Sequence, residues 1–288
     1  MNIAIIAYPG KYTIAPSLKA VLSWCRESGT DCYAIRSLYP VAEMKAEGVL
    51  HAVDNDLQAL EQADVVVTIG GDGTMLHTAQ QIRRFDLPVL GINSGRLGFM
   101  ANVQHNQIEA ALETVSRGEY RLDERFMLEA TINGGKTYHA LNEFLFTKKD
   151  TTSLVTINAD YDGHFINRYW ADGLIVASPT GSTAYNLSSG GPIVMPGTEV
   201  MVVTPINPHT LTTRPLVLPS TKELTVRMDE NIEHILFSHD GDLMEVEKRP
   251  LEVTVRRSSY SLKLIQLPGQ NYFDTLRTKL MWGMDSRS

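Results

Sequence analysis

Asp64-Val65-Val66-Val67-Thr68-Ile69, running directly into Gly70-Gly71-Asp72-Gly73-Thr74, is the stretch on which the fold turns. Six residues rich in β-branched side chains and without alternation read as a strand buried on both faces, the mark of a parallel sheet. Met75, Ala79 and Ile82 then recur at i, i+4 and i+7, so a helix opens at the glycine turn. The same grammar extends to both sides. Ile3 to Tyr8 is a short apolar run closed by Pro9-Gly10, followed by Leu18, Val21, Leu22 and Cys25 at helical spacing up to Gly29. Downstream, Pro88 to Asn93 reads as a strand, with a glycine-punctuated loop and a helix around residues 106–117 after it. Strand, crossover helix and strand in succession predict a parallel sheet with right-handed connections up to residue 118.

Past that point the period changes from helical to two. Leu224, Val226 and Met228 alternate with polar neighbours, as do Leu251, Val253 and Val255, then Leu262 and Leu264. Glu252, Thr254 and Arg256 are expected to face outward. Asn133-Gly134-Gly135 and Asp162-Gly163 are hairpin turns. The fold class is therefore an α/β N-terminal domain (residues 1–118) with a parallel sheet, then a mainly antiparallel, all-β, sandwich-like domain (119–270). A tail (271–288) carries a helical stripe of Phe273, Leu276 and Leu280 and is expected to pack back on the N-terminal domain.

The 288 residues include 26 Lys and Arg against 33 Asp and Glu, a net charge of −7, and this disfavours general nucleic-acid binding. No apolar run approaches the roughly 18 residues needed to span a bilayer, and no basic leader opens the chain, so the expected partners exclude membranes and the expected location is the cytoplasm. The two cysteines, Cys25 and Cys32, match no zinc spacing; Cys25 sits on the apolar side of its helix and reads as a buried structural thiol. No histidine pair has HxxxH or HExxH spacing, so no metal ligand is assigned.

The glycine turn lies where open α/β sheets bind ligands, at the carboxyl end of a strand leading into a helix. Glycines let a backbone approach phosphate oxygens, and the first N–H groups of a helix can receive them. Asp72 is unusual in such a turn: it either caps the helix or coordinates a metal or takes a proton from an attacking hydroxyl, and position alone does not separate these. Thr74-Met75-Leu76-His77 lacks the Lys-Ser/Thr pair of a P-loop, and Leu76 stands where a dinucleotide fingerprint has its third glycine. Asp172 through Tyr185 carries an apolar strand into Ser178-Pro179-Thr180-Gly181-Ser182-Thr183-Ala184-Tyr185. Those hydroxyls suit phosphate or ribose, with Tyr185 for stacking, or else they satisfy local backbone groups. Asn142-Glu143 occupies consecutive positions of a strand-like run, so the pair points to opposite faces unless a bulge or the strand's end intervenes. Asn suits a base edge or ribose hydroxyl and Glu a ribose diol, or the pair faces solvent on a sheet edge. Arg96, in Asn93-Ser94-Gly95-Arg96-Leu97-Gly98-Phe99, either pairs with a phosphate or lies free on the surface.

Taken together, these motifs resemble those of the bacterial NAD kinases over nearly the whole chain. The likeness rests on Gly70 to Thr74, Asn93 to Phe99, Asn142-Glu143 and the long Asp172-to-Tyr185 motif. Pro208-His209-Thr210-Leu211, Arg214-Pro215-Leu216-Val217 and Tyr272-Phe273-Asp274-Thr275-Leu276 add to it. The resemblance implies an active site between an α/β and a β domain and transfer of phosphate from ATP to the 2′-hydroxyl on the adenosine ribose of NAD, giving NADP and ADP. It makes Asp72 the general base, with Gly71, Gly73 and Thr74 at the phosphates alongside Arg96, and Mg²⁺ arriving on ATP. It places NAD against Asp72, Gly73 and His77, against Asn142 and Glu143, and against Arg168, Trp170 and Asp172. Thr183, Ala184 and Tyr185 match the stretch around the adenosine, and Asn186, Ser188, Asn207 and Asp242 complete the NAD-binding set. A homo-oligomer, dimer or tetramer, is implied, with Thr204 to Asn207 reaching a neighbour's site.

His77 stands where relatives often carry Arg or Lys, Trp170 where Arg is frequent, and Asp242 where Gln or another polar residue is common. Two other readings share features with this one. A lipid or small-molecule kinase could own the same GGDG turn but should carry an apolar groove for acyl chains. A non-catalytic NAD(P) sensor would keep the pocket without needing Asp72.

Overall fold

The computed structural model describes residues 1–8, 14–38, 40, 48–95, 97–148, 154–228, 235–246 and 250–281. The chain forms two compact units, one of Met1–Glu124 together with the chain from Leu262 onward, the other of Arg125–Ser261. The sequence reading put its boundaries at 118/119 and 270/271.

In the first unit a parallel sheet runs in the order Lys263-Leu264, Pro88–Asn93, Val65–Gly70, Asn2–Ala7, Asp31–Ile35, Leu50–Val53. Val65–Gly70 is buried at every residue and Asn2–Ala7 at all but the first, as strands covered on both faces must be. The strand order reverses between these two, which makes their carboxyl ends the ligand-binding position of an open α/β sheet. Gly70-Gly71 lies at one of those ends. Helix Ala15–Ser28 buries Leu18, Val21, Leu22, Trp24 and Cys25 and stops at Gly29, whose φ of +69° a residue with a Cβ rarely adopts. The thiols of Cys25 and Cys32 are both buried, 2.7 Å apart. The sequence does not announce strands Asp31–Ile35 and Leu50–Val53; both are short and only partly buried, the second forming the sheet's edge and the first lying next to it.

The second unit holds two sheets. Its own strands in the first run Arg125–Ile132 through Leu251–Ser261, with Leu224–Met228, Val155–Tyr161 and His164–Ala171 in antiparallel succession. The other has six antiparallel strands in the order Leu216–Pro219, Val200–Ile206, Gly173–Ala177, Glu143–Lys148, Ile235–His239, Asp242–Val246. Inward residues of both, among them Val226, Val253, Val255, Phe144, Phe146, Val176 and Phe237, form one apolar cluster, so the sandwich-like architecture holds. Glu252 and Arg256 face out as expected, and each is ion-paired to a neighbouring strand. Asn133-Gly134 and Asp162-Gly163 all have positive φ, the mirror-image turn a right-twisted hairpin selects.

The tail forms helix Tyr272–Leu280, capped by Asn271 Oδ1 accepting from the N–H of Asp274 at 3.0 Å. Leu276 is buried within the first unit, but Phe273 is 52% exposed and does not belong to the packed stripe. Tyr272 takes that place, its ring 6.4 Å from Phe99. Tyr272 and Leu276 are spaced i, i+4, which keeps them on one face; Phe273 is turned about 100° from Tyr272.

Phe237 anchors the second core: fully buried, it stacks on Phe144 at 5.5 Å and meets Phe146 and Tyr138 at 5.5 and 5.6 Å. Phe237→Ala should cost about 3–5 kcal/mol in urea unfolding; a loss below about 1 kcal/mol would show that this aromatic cluster does not hold the sheets together.

Candidate active site

Helix Asp72–Ile82 begins with Gly71 as its N-cap, so no side chain closes its amino end. A Cβ added at Gly71 or Gly73 would meet nothing within 4 Å, leaving the backbone of this first turn open to approach. Gly70 is required for the opposite reason, since a Cβ there would lie 2.1 Å from Thr74 Oγ1. Thr74 is buried and is held by its own N–H to the Gly71 carbonyl at 3.0 Å, so its hydroxyl faces the packed turn rather than an open surface.

The Asp72 carboxylate accepts three successive backbone N–H groups. Oδ2 takes Phe99 at 2.9 Å, and Oδ1 takes Met100 at 3.0 Å and Ala101 at 3.4 Å. The loop after Pro88–Asn93 folds back to make this contact. Val103 bonds the Gly91 carbonyl and Asn93 bonds the Val103 carbonyl, while Gly91 admits the returning backbone: a Cβ there would stand 2.8 Å from Ala101 Cα. Gly98 is equally constrained, because its Cβ would fall 2.2 Å from Asp72 Oδ1. Asn93, by contrast, turns inward, its Oδ1 accepting from Gly95 at 2.6 Å and its amide donating to Ala101. Arg96 lies outside the described residues. His77, five residues after Asp72, is paired through Nε2 to Asp56 Oδ2 at 3.1 Å, with the Tyr8 ring 5.3 Å away. Asp56 was not foreseen; nothing in its local sequence marks it beyond a helix start after Asn55.

In the second unit the puzzle of Asn142-Glu143 resolves. The chain bends at Leu141-Asn142, and the strand begins only at Glu143, so the pair is not bound by the two-face alternation. The backbone of the bend is bonded on both sides. The Asp240 carboxylate accepts from the N–H groups of Leu141 at 2.8 Å, Asn142 at 2.7 Å and Glu143 at 3.4 Å. On the carbonyl side, Ser178 donates its hydroxyl to Leu141 and its N–H to Asn142. Gly181 fits against the same bend; a Cβ there would be 2.1 Å from the Asn142 carbonyl oxygen. The sequence gives no sign of this role for Asp240. Its only signal was an Asp-Gly dipeptide closing an apolar run, which marks a hairpin but not the partner of a distant segment.

Glu143 is half-buried, and its Oε2 is buried with no hydrogen-bond partner. Burial, then the nearby negative charge of Asp240, push its carboxyl from 4.5 up to about 7, against an opposing N–H from Tyr185. In the Ser178–Tyr185 segment the hydroxyls chiefly serve local backbone: Ser178 and Ser182 are fully buried and engaged, and Thr183 donates to Thr180 at 3.3 Å. Ala184 is half-buried, Tyr185 is 43% exposed and Ser188 is exposed. Asn186 is fully buried, donating both amide hydrogens to the Ser182 and Pro192 carbonyls and accepting from Thr204 at 2.6 Å. It braces the turn with its side chain, and Thr204 faces inward with it. Asn207, exposed at φ +45°, donates to Asp172 Oδ2 at 3.0 Å. Trp170, 50% exposed, lies against His209 with ring centroids 4.4 Å apart, while Arg168 donates to Asn158 at 2.9 Å. Asp242 is exposed at the start of its strand. Among the described residues no group of three His, Cys, Asp or Glu could hold a metal ion, and no helix is long and apolar enough to cross a membrane.

The fold has counterparts among solved structures. A yeast NADH kinase solved with NADH superposes with a TM-score of 0.90 at 22% identity, over 99% of this chain and 89% of that one. An NAD kinase from Archaeoglobus fulgidus solved with ATP gives 0.75 at 22% identity, over 98% and 99%. At that distance the likeness defines the class of fold. Residues 27–120 match the family described as the ATP-NAD kinase N-terminal domain, and residues 141–267 its C-terminal domain. The NAD kinase of Porphyromonas gingivalis is 37% identical over 98% of both chains, and that of Flavobacterium johnsoniae 40% identical over 82% of this chain and 80% of its own. The chain belongs to the ATP-NAD kinase family.

Glu143 makes stability depend on pH. Between 4.5 and about 7 the folded protein keeps a proton that the unfolded chain releases, so this group's contribution is full below 4.5, falls as pH rises, and is flat above about 7. Glu143→Gln should remove that slope, a change of at most roughly 3 kcal/mol between pH 4.5 and 7.5 at about 1.4 kcal/mol per pKa unit. Denaturation curves offset by a constant amount at every pH would contradict it.

Proposed function

We infer that the protein is a phosphotransferase that moves the γ-phosphoryl group of ATP to the 2′-hydroxyl on the adenosine ribose of NAD, yielding NADP and ADP, with Asp72 as the general base. Family membership supports the substrates, and the environment of Asp72 carries the reading of its role. A carboxylate offers about four lone-pair positions. Oδ1 has two amide donors, but Oδ2 has one, which leaves a lone pair on a group whose orientation the loop amides fix. A ribose hydroxyl is a poor nucleophile; a positioned carboxylate accepts its proton as the new O–P bond forms and the bond to the β–γ bridging oxygen breaks, releasing ADP.

The open amides at Gly71 and Gly73 suit phosphate oxygens, as the amino end of a helix does generally. A divalent cation carried in on ATP would supply charge neutralisation when bound. Asn142 and Glu143 suit the ribose and base of NAD, with Thr183, Ala184 and Tyr185 beside the adenosine. Asp172, oriented by Asn207, and the Trp170–His209 pair offer an acceptor and an aromatic face for the rest of the dinucleotide. The exposure of Asn207 leaves it free to meet a neighbouring subunit in a homo-oligomer. A cytoplasmic site of action fits the acidic chain, among whose described residues no helix is long and apolar enough to cross a membrane.

The deciding experiment couples NADP formation from NAD, ATP and Mg²⁺ to an NADP-specific dehydrogenase. Asp72→Asn should lower turnover roughly 10²- to 10⁴-fold while NAD binding largely survives. Unchanged turnover removes Asp72 from the role, and NAD binding without any NADP from wild type favours a sensor. Gly98→Ala tests the positioning of the same carboxylate: the intruding Cβ should reduce kcat about 10²-fold at nearly constant KM for NAD, and wild-type kcat in a folded variant would refute it.

A further inference from the structure

We propose that Asp240 is the positioning residue for the NAD-holding pair, its carboxylate locking the Leu141–Glu143 bend from which Asn142 and Glu143 project. The inference rests on the assignment of those two residues to NAD. Three successive N–H groups converge on one carboxylate at 2.7–3.4 Å, a concave anion-binding arrangement closed here by the protein's own side chain. The pairing is reciprocal, since the Asp240 N–H donates to the Glu143 carbonyl at 3.1 Å. With Ser178 on the carbonyls of Leu141 and Asn142, every backbone polar group of the three residues is satisfied without a regular ladder through the bend.

The turn is shaped for this task. Asp240 and Gly241 both have positive φ, +50° and +91°, and Asp is among the few residues that tolerate that region. The hairpin Ile235–His239 to Asp242–Val246 thus delivers a carboxylate from almost a hundred residues away to a segment whose local sequence supplies no acceptor for its amides. Charge matters as well as shape, because N–H donors to a carboxylate bind more strongly and at shorter range than to a neutral acceptor. Asp240 touches neither substrate in this reading; it acts through the two side chains it aims.

Two variants separate positioning from folding. Asp240→Asn keeps Oδ1 for Asn142 and Glu143 but confronts the Leu141 N–H with an amide, and Asp240→Ala removes all three acceptors. KM for NAD should rise about 10-fold in the first and about 10²-fold in the second, a misplacement of the order that costs enzymes such factors. KM for ATP and kcat should stay within about 3-fold. Hydrogen exchange should show the amides of Leu141, Asn142 and Glu143 protected in wild type and released in Asp240→Asn. An unaltered KM for NAD in a folded Asp240→Ala, equal loss of kcat and of ATP affinity, or unchanged amide protection would each overturn the proposal, as would failure of both variants to fold. Absence of NAD binding by wild type would instead overturn the underlying assignment, leaving the exchange result to judge the bend alone.

Discussion

A carboxylate cradled by three consecutive backbone amides is the constraint on which this structure depends, and it occurs twice. Asp72 gathers Phe99, Met100 and Ala101; Asp240 gathers Leu141, Asn142 and Glu143. In each case a segment with no ladder partner would otherwise hold several N–H groups away from water, at a cost of about 1–3 kcal/mol for each that is left unmade. One acidic side chain satisfies all three and fixes the segment's direction. The two carboxylates differ in use. Asp72 Oδ2 accepts one amide only, whereas the Asp240 N–H also donates to the Glu143 carbonyl and closes that side.

Glycines are placed where these clamps demand them. Gly91 and Gly98 let the returning loop lie against the sheet and against Asp72, and Gly181 lets a second loop lie against Asn142; in each case a methyl group would overlap backbone or carboxylate atoms. The tail contributes to the first clamp. Tyr272 and Lys279 of the final helix meet the Phe99 ring, and Gln270 accepts from Asn102, so the loop that supplies the amides is itself held from the far side.

Much of the fold was legible because it follows from period. Val65–Gly70, Asn2–Ala7 and Pro88–Asn93 are continuous apolar runs, and Leu224–Met228 and Leu251–Val255 alternate, so burial on two faces or one is written into each segment. Asp31–Ile35 and Leu50–Val53 are not legible, since short, partly buried strands at and beside the sheet's edge bury too little to impose a pattern. Phe273 misled for a related reason. Its apolarity suggested a packed position, but with so short a helix only one narrow face is covered, and that face runs through Tyr272 and Leu276.

The sequence by itself determined the two fold classes and the strand-turn-helix at Gly70 to Thr74, because each follows from the period and turn residues of neighbouring segments. Tertiary structure decided which polar side chains remain available to a ligand. Asn186, Ser178 and Ser182 look like ligand groups in the sequence and prove to be internal braces, since a hydroxyl or amide satisfies whichever backbone group the fold brings near. Asp240 shows the converse. It reads as a hairpin residue, and only the pairing of Ile235–His239 with Glu143–Lys148, some ninety residues apart, turns it into the support of Asn142 and Glu143. Local chemistry is carried by neighbours in the chain, while hydrogen-bond partnership across such a distance exists only once the sheet has formed.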